Sequence, residues 1–175
     1  MAARPALSVV IPAFNEAGRL PATLAAVSTY LSSQPSLCPA EIIVVDDGSA
    51  DATAAIATAF APPAGVTCRL VGYGANRGKG AAVRAGMAAS GGARVLITDA
   101  DLAAPIAEVE ALLASGAAVA VGSRAVDRRM IERRQPLRRD LLGRLFNRAL
   151  RVLRLTDLKD TQCGFKLLDG ELARR

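Results

Sequence analysis

A single α/β domain built on a mostly parallel sheet is predicted by three features of this sequence. Short runs of β-branched and other apolar residues alternate with longer Ala/Leu-rich stretches of helical spacing. The runs are continuously apolar, which predicts strands covered on both faces. The connections between runs and helices are short, as in repeated strand–helix units.

Residues 7–11 (LSVVI) read as the first strand, followed by a helix over about 16–31. Residues 41–45 (EIIVV) read as the second, with a helix over about 51–60 that Ser49 or Asp51 can cap. A third strand at 67–71 precedes a helix at 79–90, and a fourth at 94–98 precedes one at about 105–114. Pro105 suits the first turn of that helix. Residues 118–122 read as a fifth strand, and Pro35, Pro39, Pro62 and Pro63 mark surface connections.

Beyond Arg124 the pattern changes. Residues 128–140 form a charged loop, and 141–153 set Leu142, Leu145, Phe146, Ala149 and Leu153 at helical spacing against Arg144, Arg148 and Arg151. This basic amphipathic helix either packs on the sheet or lies at a membrane surface, leucines in the acyl boundary and arginines on anionic phosphates. The sequence ends soon after Asp160 with no recognisable closing element, so a C-terminally truncated domain is expected.

Composition narrows the function classes. At 175 residues the chain makes one domain with a sizeable core, 51% hydrophobic yet only 3% aromatic. Cys38, Cys68 and Cys163 are scattered and odd in number, which predicts reduced thiols in a cytoplasmic protein. With no histidine, His triads and His metal sites are excluded, and acid–base work falls to carboxylates or the substrate. No apolar stretch approaches the ~20 residues needed to span a bilayer, and the first apolar run is too short for a signal segment.

Net charge is +6, unevenly placed. The segment 124–154 holds eleven arginines against Asp127, Glu132 and Asp140, so it carries +8 and the remainder −2. A localised anion partner follows from this more naturally than nucleic acid, for which aromatic stacking residues are also lacking.

In an open parallel sheet, ligands bind beyond the carboxyl ends of the strands. The polar residues collect at those ends: Asn15 and Glu16, Asp46 to Ser49, Asn76 to Gly80, Asp99 and Asp101, and Ser123 with Arg124. Taken alone, Asp46-Asp47-Gly48-Ser49 can be a turn and cap, and Asp99-Ala100-Asp101 can cap a helix or hold a hard divalent cation. Five such clusters on one edge argue for a site, and paired carboxylates with a cation suit a nucleotide diphosphate. Dinucleotide and P-loop motifs are excluded. The first strand leads into Pro12-Ala13-Phe14-Asn15-Glu16 rather than a glycine fingerprint, and Lys79 is followed by Gly80 rather than Ser or Thr.

Residues 9–16 (VVIPAFNE), 44–49 (VVDDGS), 76–80 (NRGKG) and 99–101 (DAD) resemble family 2 glycosyltransferases of the GT-A (Rossmann-like) fold. Residues 160–166 (DTQCGFK) narrow the resemblance to the polyprenyl-phosphate branch, dolichyl-phosphate β-glucosyltransferases above all, with the mannosyltransferases as relatives. It spans essentially the whole chain and implies two parts, a nucleotide-sugar-binding part over 1–124 and an acceptor-side part over 125–175.

The resemblance also implies roles. Pro12, Phe14, Glu16, Val45, Asp47, Lys79, Asp99 and Ala100 would form the nucleotide pocket, with Asp47 on base or ribose and Asp46 supporting it. Asp99 and Asp101 would hold Mg²⁺ or Mn²⁺ on the diphosphate. Arg124 and Arg139 would meet phosphate charge, the latter on the acceptor, and Asp160 and Asp101 would be catalytic. Ala103 stands where mannosyl relatives often carry Gln, which favours the glucosyl reading.

The implied activity is inverting transfer of a hexose, glucose from UDP-glucose as first choice, to a polyprenyl or dolichyl phosphate. GDP-mannose-dependent transfer and a non-catalytic nucleotide-binding module are the alternatives. A phosphomonoester acceptor has a second pKa of about 6 and is largely anionic already. It needs little deprotonation, so Asp160 is expected to orient it. Expected partners are a UDP- or GDP-hexose, the prenyl phosphate and an anionic membrane surface. The expected location is cytoplasmic, peripheral at the membrane face.

Overall fold

The computed structural model describes residues 4–122 and 163–175. Arg124, Arg139, Asp160, the charged loop and the amphipathic helix lie outside the described residues.

The strands are β1 (Leu7–Ala13), β2 (Ala40–Asp46), β3 (Val66–Gly72), β4 (Arg94–Ile97), β5 (Val119–Val121) and β6 (Lys166–Asp169). The helices are α1 (Leu20–Ser32), α2 (Thr53–Ala59), α3 (Lys79–Ala89), α4 (Val109–Ala114) and α5 (Gly170–Arg174). They make one six-stranded sheet in the order β3-β2-β1-β4-β6-β5. The first four strands pair in parallel, Leu7 opposite Ala40 and Arg94 in β1's two registers. β6 runs antiparallel to both β4 and β5.

The mostly parallel sheet agrees with the expectation, with three corrections. A sixth strand, unforeseen, inserts between β4 and β5 and closes the sheet. It runs straight into α5, whose first turn is capped by Asp169 Oδ1 accepting from the Glu171 and Leu172 amides at 2.9 and 3.3 Å. Four residues are too few to show a period. β3 is an edge strand whose Thr67 and Arg69 are exposed, so the two-sided cover expected for every strand fails there. The first helix begins at Leu20 rather than Glu16, because residues 14–17 are drawn into a junction with the loop after β2.

Packing follows the strand period of two. Val9 and Ile11 of β1 and Ile42 and Val44 of β2 face α1, α2 and α4, with Leu20, Leu24, Val27 and Leu31 from α1. Val10, Ile43 and Val45 face the other way, under α3 and α5, against Ala82 and Ala173. Each of those strand residues is fully buried, worth about 1.5–3 kcal/mol apiece relative to exposure. Small Ala82 and Gly86 are the buried residues of α3, so this helix sits close on β1 and β2 and its N-terminus reaches the carboxyl edge of the sheet.

The opposite edge is tied by a buried carboxylate. Glu41, 6% exposed, accepts from the Ser8 hydroxyl and from the Gly91 amide, each at 2.6 Å, on Oε1. The Arg69 guanidinium lies 3.3 Å from Oε2, and the Gly92 amide donates to Ser8 Oγ at 2.8 Å. Strands β1, β2 and β3 and the turn after α3 are thereby joined through one side chain.

Candidate functional site

The loops after β1 and β2 are stitched together. Asn15 sits at φ +55°, a conformation Asn tolerates better than most residues. Its amide donates to Ser49 Oγ and its Oδ1 accepts from the Ala50 amide, both at 2.9 Å. The Glu16 amide donates to Thr53 Oγ1 at 2.9 Å and the Ala17 amide to Asp51 Oδ2 at 3.1 Å. Asp51 also accepts from the Thr53 amide at 3.0 Å, but the N-cap of α2 is Ala52, without a side-chain cap, so Ser49 and Asp51 serve the junction rather than the expected cap. The result fixes Phe14 at the sheet edge, 46% exposed.

The loop after β2 is in turn pressed against the one after β3. Gly48 has φ +77°, and a Cβ there would lie 2.6 Å from the Asn76 amide nitrogen, so only glycine fits. Asp47 is buried, and its Oδ1 accepts from the Tyr73 hydroxyl and from the Arg77 amide, both at 2.8 Å. The Arg77 guanidinium stacks over the Tyr73 ring at 4.8 Å, a cation–π arrangement. Asp46 Oδ1 accepts from the Ser49 amide at 3.1 Å.

The Arg77 amide holds the Asp47 carboxyl below its ordinary 3.8; burial opposes this, and the Tyr73 hydroxyl, the Gly78 amide and the Arg77 guanidinium add to it. A carboxyl with a lowered folded pKa stabilises above its unfolded pKa and loses that contribution as pH falls through the folded value. In Asp47→Asn, the stability deficit relative to wild type is therefore expected to shrink as pH drops below 3.8. Denaturant midpoints measured from pH 6 to acid would show it; a constant deficit would contradict it.

Beyond β4, Asp99 Oδ1 lies 2.6 Å from Lys79 Nζ, with side chains 32% and 58% exposed. Lys79 is the first residue of α3, so the pair bridges from the turn anchored on Asp47, over the end of β1, to the end of β4. Asp101 is exposed, and its Oδ1 accepts from the Ala103 amide at 3.1 Å. Ala100 is buried and its carbonyl accepts from Thr23 Oγ1 at 2.6 Å, which fixes the peptide between the two acids to α1.

Gly164 closes this side. A Cβ on it would fall 2.3 Å from Asp99 Oδ2, so its backbone lies directly against the carboxylate. A shallow cleft opens there, lined by Thr98, Asp99, Ala103, Ala104 and Phe165. Residues 163–165 lead into β6 at this edge, because β6 runs antiparallel to β4.

Phe14, Glu16, Asp47, Lys79, Asp99 and Asp101 all belong to this edge. Glu16 pairs with Arg19 at 3.2 Å. Pro12 and Val45 lie buried in β1 and β2. The Val45 side chain is packed under α3 with Val10 and Ile43, so it is a core residue. Tyr73 and Gly164 were not foreseen as site residues. Tyr73 sits in a stretch whose glycines match no nucleotide fingerprint, while Gly164 lies inside the 160–166 motif.

A family model described as "Glycosyl transferase family 2" matches residues 8–175. Human dolichyl-phosphate beta-glucosyltransferase is 38% identical over 183 residues, covering 97% of this chain and 56% of that protein. A dolichyl-phosphate beta-glucosyltransferase of Trichomonas vaginalis is 41% identical over 179 residues, covering 94% and 52%. The chain therefore spans about half the length of the curated relatives it matches. Among solved structures, glucosyl-3-phosphoglycerate synthase from Mycobacterium tuberculosis, in complex with Mn²⁺ and UDP-glucose, aligns with TM-score 0.66 at 23% identity over 96% of this chain and 57% of that one.

Proposed function

Since the chain belongs to glycosyl transferase family 2, we propose that it carries the donor-binding part and the acceptor-side segment of an inverting, divalent-metal-dependent glucosyltransferase. The fold is the GT-A type that the motifs imply. In this reading UDP-glucose is the donor and dolichyl or another polyprenyl phosphate the acceptor. The relatives' names support the sugar and the acceptor class, and the Mn²⁺ complex of the structural neighbour supports a divalent cation. The observation that carries the proposal is the meeting of Phe14, Asp47, Lys79, Asp99 and Asp101 on one edge of the sheet.

Asp99 and Asp101 are the residues that would hold the cation. Two carboxylates offer hard oxygen donors of the kind Mg²⁺ and Mn²⁺ take, and the missing side chain at Gly164 leaves the Asp99 carboxylate the place a Cβ would otherwise occupy. Two carboxylates leave the remaining positions of such an ion to phosphate oxygens and water. When bound, such an ion stabilises the negative charge of a departing nucleoside diphosphate.

The chain's own residues set the geometry. Asp47 fixes the Arg77–Lys79 turn, which carries two cations and the amide end of α3 toward the diphosphate. Phe14 offers an apolar face beside the base. Attack by an anionic phosphate on the side opposite the leaving group converts an α-linked donor to a β-linked product, and no histidine is required. Asp160 would orient that phosphate and Arg124 and Arg139 would meet its charge. The 124–154 segment would seat the protein on an anionic membrane at its cytoplasmic face, and no helix among the described residues is long and apolar enough to cross one.

The test is a thermal-shift panel with UDP-glucose, UDP and GDP-mannose, with Mn²⁺ and with EDTA. UDP-glucose with Mn²⁺ near a hundredfold its Kd is expected to raise Tm by about 5–10 °C. A larger shift with GDP-mannose, or a UDP-glucose shift indifferent to EDTA, would overturn the proposal.

A further inference from the structure

The geometry points to Lys79 as an exchangeable counter-ion that couples cation binding to nucleotide binding. This inference rests on the donor and metal reading above. Lys79 Nζ sits 2.6 Å from Asp99 Oδ1, an oxygen that a cation held by Asp99 would compete for. A divalent ion arriving alone must displace the ammonium and leave it without a carboxylate. An ion arriving with a diphosphate brings the ammonium a replacement partner, since phosphate oxygens accept charge-assisted hydrogen bonds. Lys79 thus opposes the free ion and favours the ion–nucleotide pair.

Three features make the exchange mechanically plain. Both side chains are partly exposed, so parting them exposes no newly buried charge. The backbone beneath Lys79 stays fixed, because Asp47 holds the Arg77 amide at 2.8 Å and Tyr73 at the same distance. The Asp99 side is fixed too, with Ala100 tied to Thr23 and Gly164 against the carboxylate. Only the flexible stem of Lys79 has to swing. By linkage, the factor by which nucleotide tightens the cation equals the factor by which the cation tightens nucleotide, and Lys79 raises both.

The experiment is a Mn²⁺ titration followed by electron paramagnetic resonance, with and without saturating UDP, on wild type, Lys79→Met and Lys79→Arg. Lys79→Met is expected to bind Mn²⁺ alone about three- to fivefold more tightly, the strength of a partly exposed ion pair. The UDP-induced gain in Mn²⁺ affinity should fall about tenfold or more, because a charged phosphate contact is lost as well. Lys79→Arg keeps the charge and should stay close to wild type. Unchanged or weaker binding of Mn²⁺ alone in Lys79→Met, with UDP-dependent Mn²⁺ binding intact in wild type, would overturn the counter-ion role alone. Absence of UDP-dependent Mn²⁺ binding in wild type would overturn the metal reading and this inference together.

Discussion

Asp101→Ala is expected to abolish the Mn²⁺-dependent stabilisation by UDP-glucose and to lower glucosyl transfer at least about 10²–10³-fold, the scale on which loss of one preorganised charge stabiliser acts. The side chain is exposed, and its Oδ1 accepts from the Ala103 amide, so the fold should survive its removal. Asp101→Asn sharpens the test: it keeps an Oδ1 acceptor for Ala103 and removes the charge. If the loss comes from cation holding, Asn and Ala should fail alike; if it comes from the turn, Asn should recover most of the function. Single-turnover transfer to a polyprenyl phosphate, beside the melting temperature of each variant without ligand, separates the two. Wild-type Mn²⁺ dependence in Asp101→Asn would remove this residue from the metal site.

Glu41→Leu carries the largest expected stability loss, about 2–4 kcal/mol, or a Tm about 5–15 °C lower for a chain of this size. Leucine leaves the buried Ser8 hydroxyl and Gly91 amide without their acceptor and the Arg69 guanidinium without its carboxylate. Glu41→Gln keeps one acceptor oxygen and should lose less. The cluster lies at the amino edge of the parallel strands and the proposed site at the carboxyl edge. Below its lowered melting point, Glu41→Leu should therefore bind UDP with Mn²⁺ nearly as wild type does. Equal denaturant midpoints for wild type and Glu41→Leu would show that the buried network contributes no net stability.

Much of the fold is legible from local pattern. β1 and β2 announce themselves because a strand covered on both faces must be apolar at every position, and LSVVI and EIIVV satisfy that within five residues each. The carboxyl-edge site is legible for a related reason: in a parallel sheet every strand leads its following loop to the same edge, so Glu16, Asp47, Lys79 and Asp99 are gathered by topology. β6 is not legible. KLLD is short, mixed in polarity and stable only because Leu167 and Phe165 find burial between β4 and β5.

Local pattern in the chain carries the alternation of strands and helices, the edge on which the polar clusters meet, and the family to which they belong. Each of these is carried by residues within a few positions of one another or by the connection rule of parallel sheets. Long-range packing makes Asp47 turn inward to hold Tyr73 and the Arg77 amide, closes Lys79 on Asp99, shares Glu41 among three strands, and sets Gly164 against the Asp99 carboxylate. Those pairings join residues 20 to 65 positions apart. Charge, reach and burial permit many partners for each, and only packing selects one.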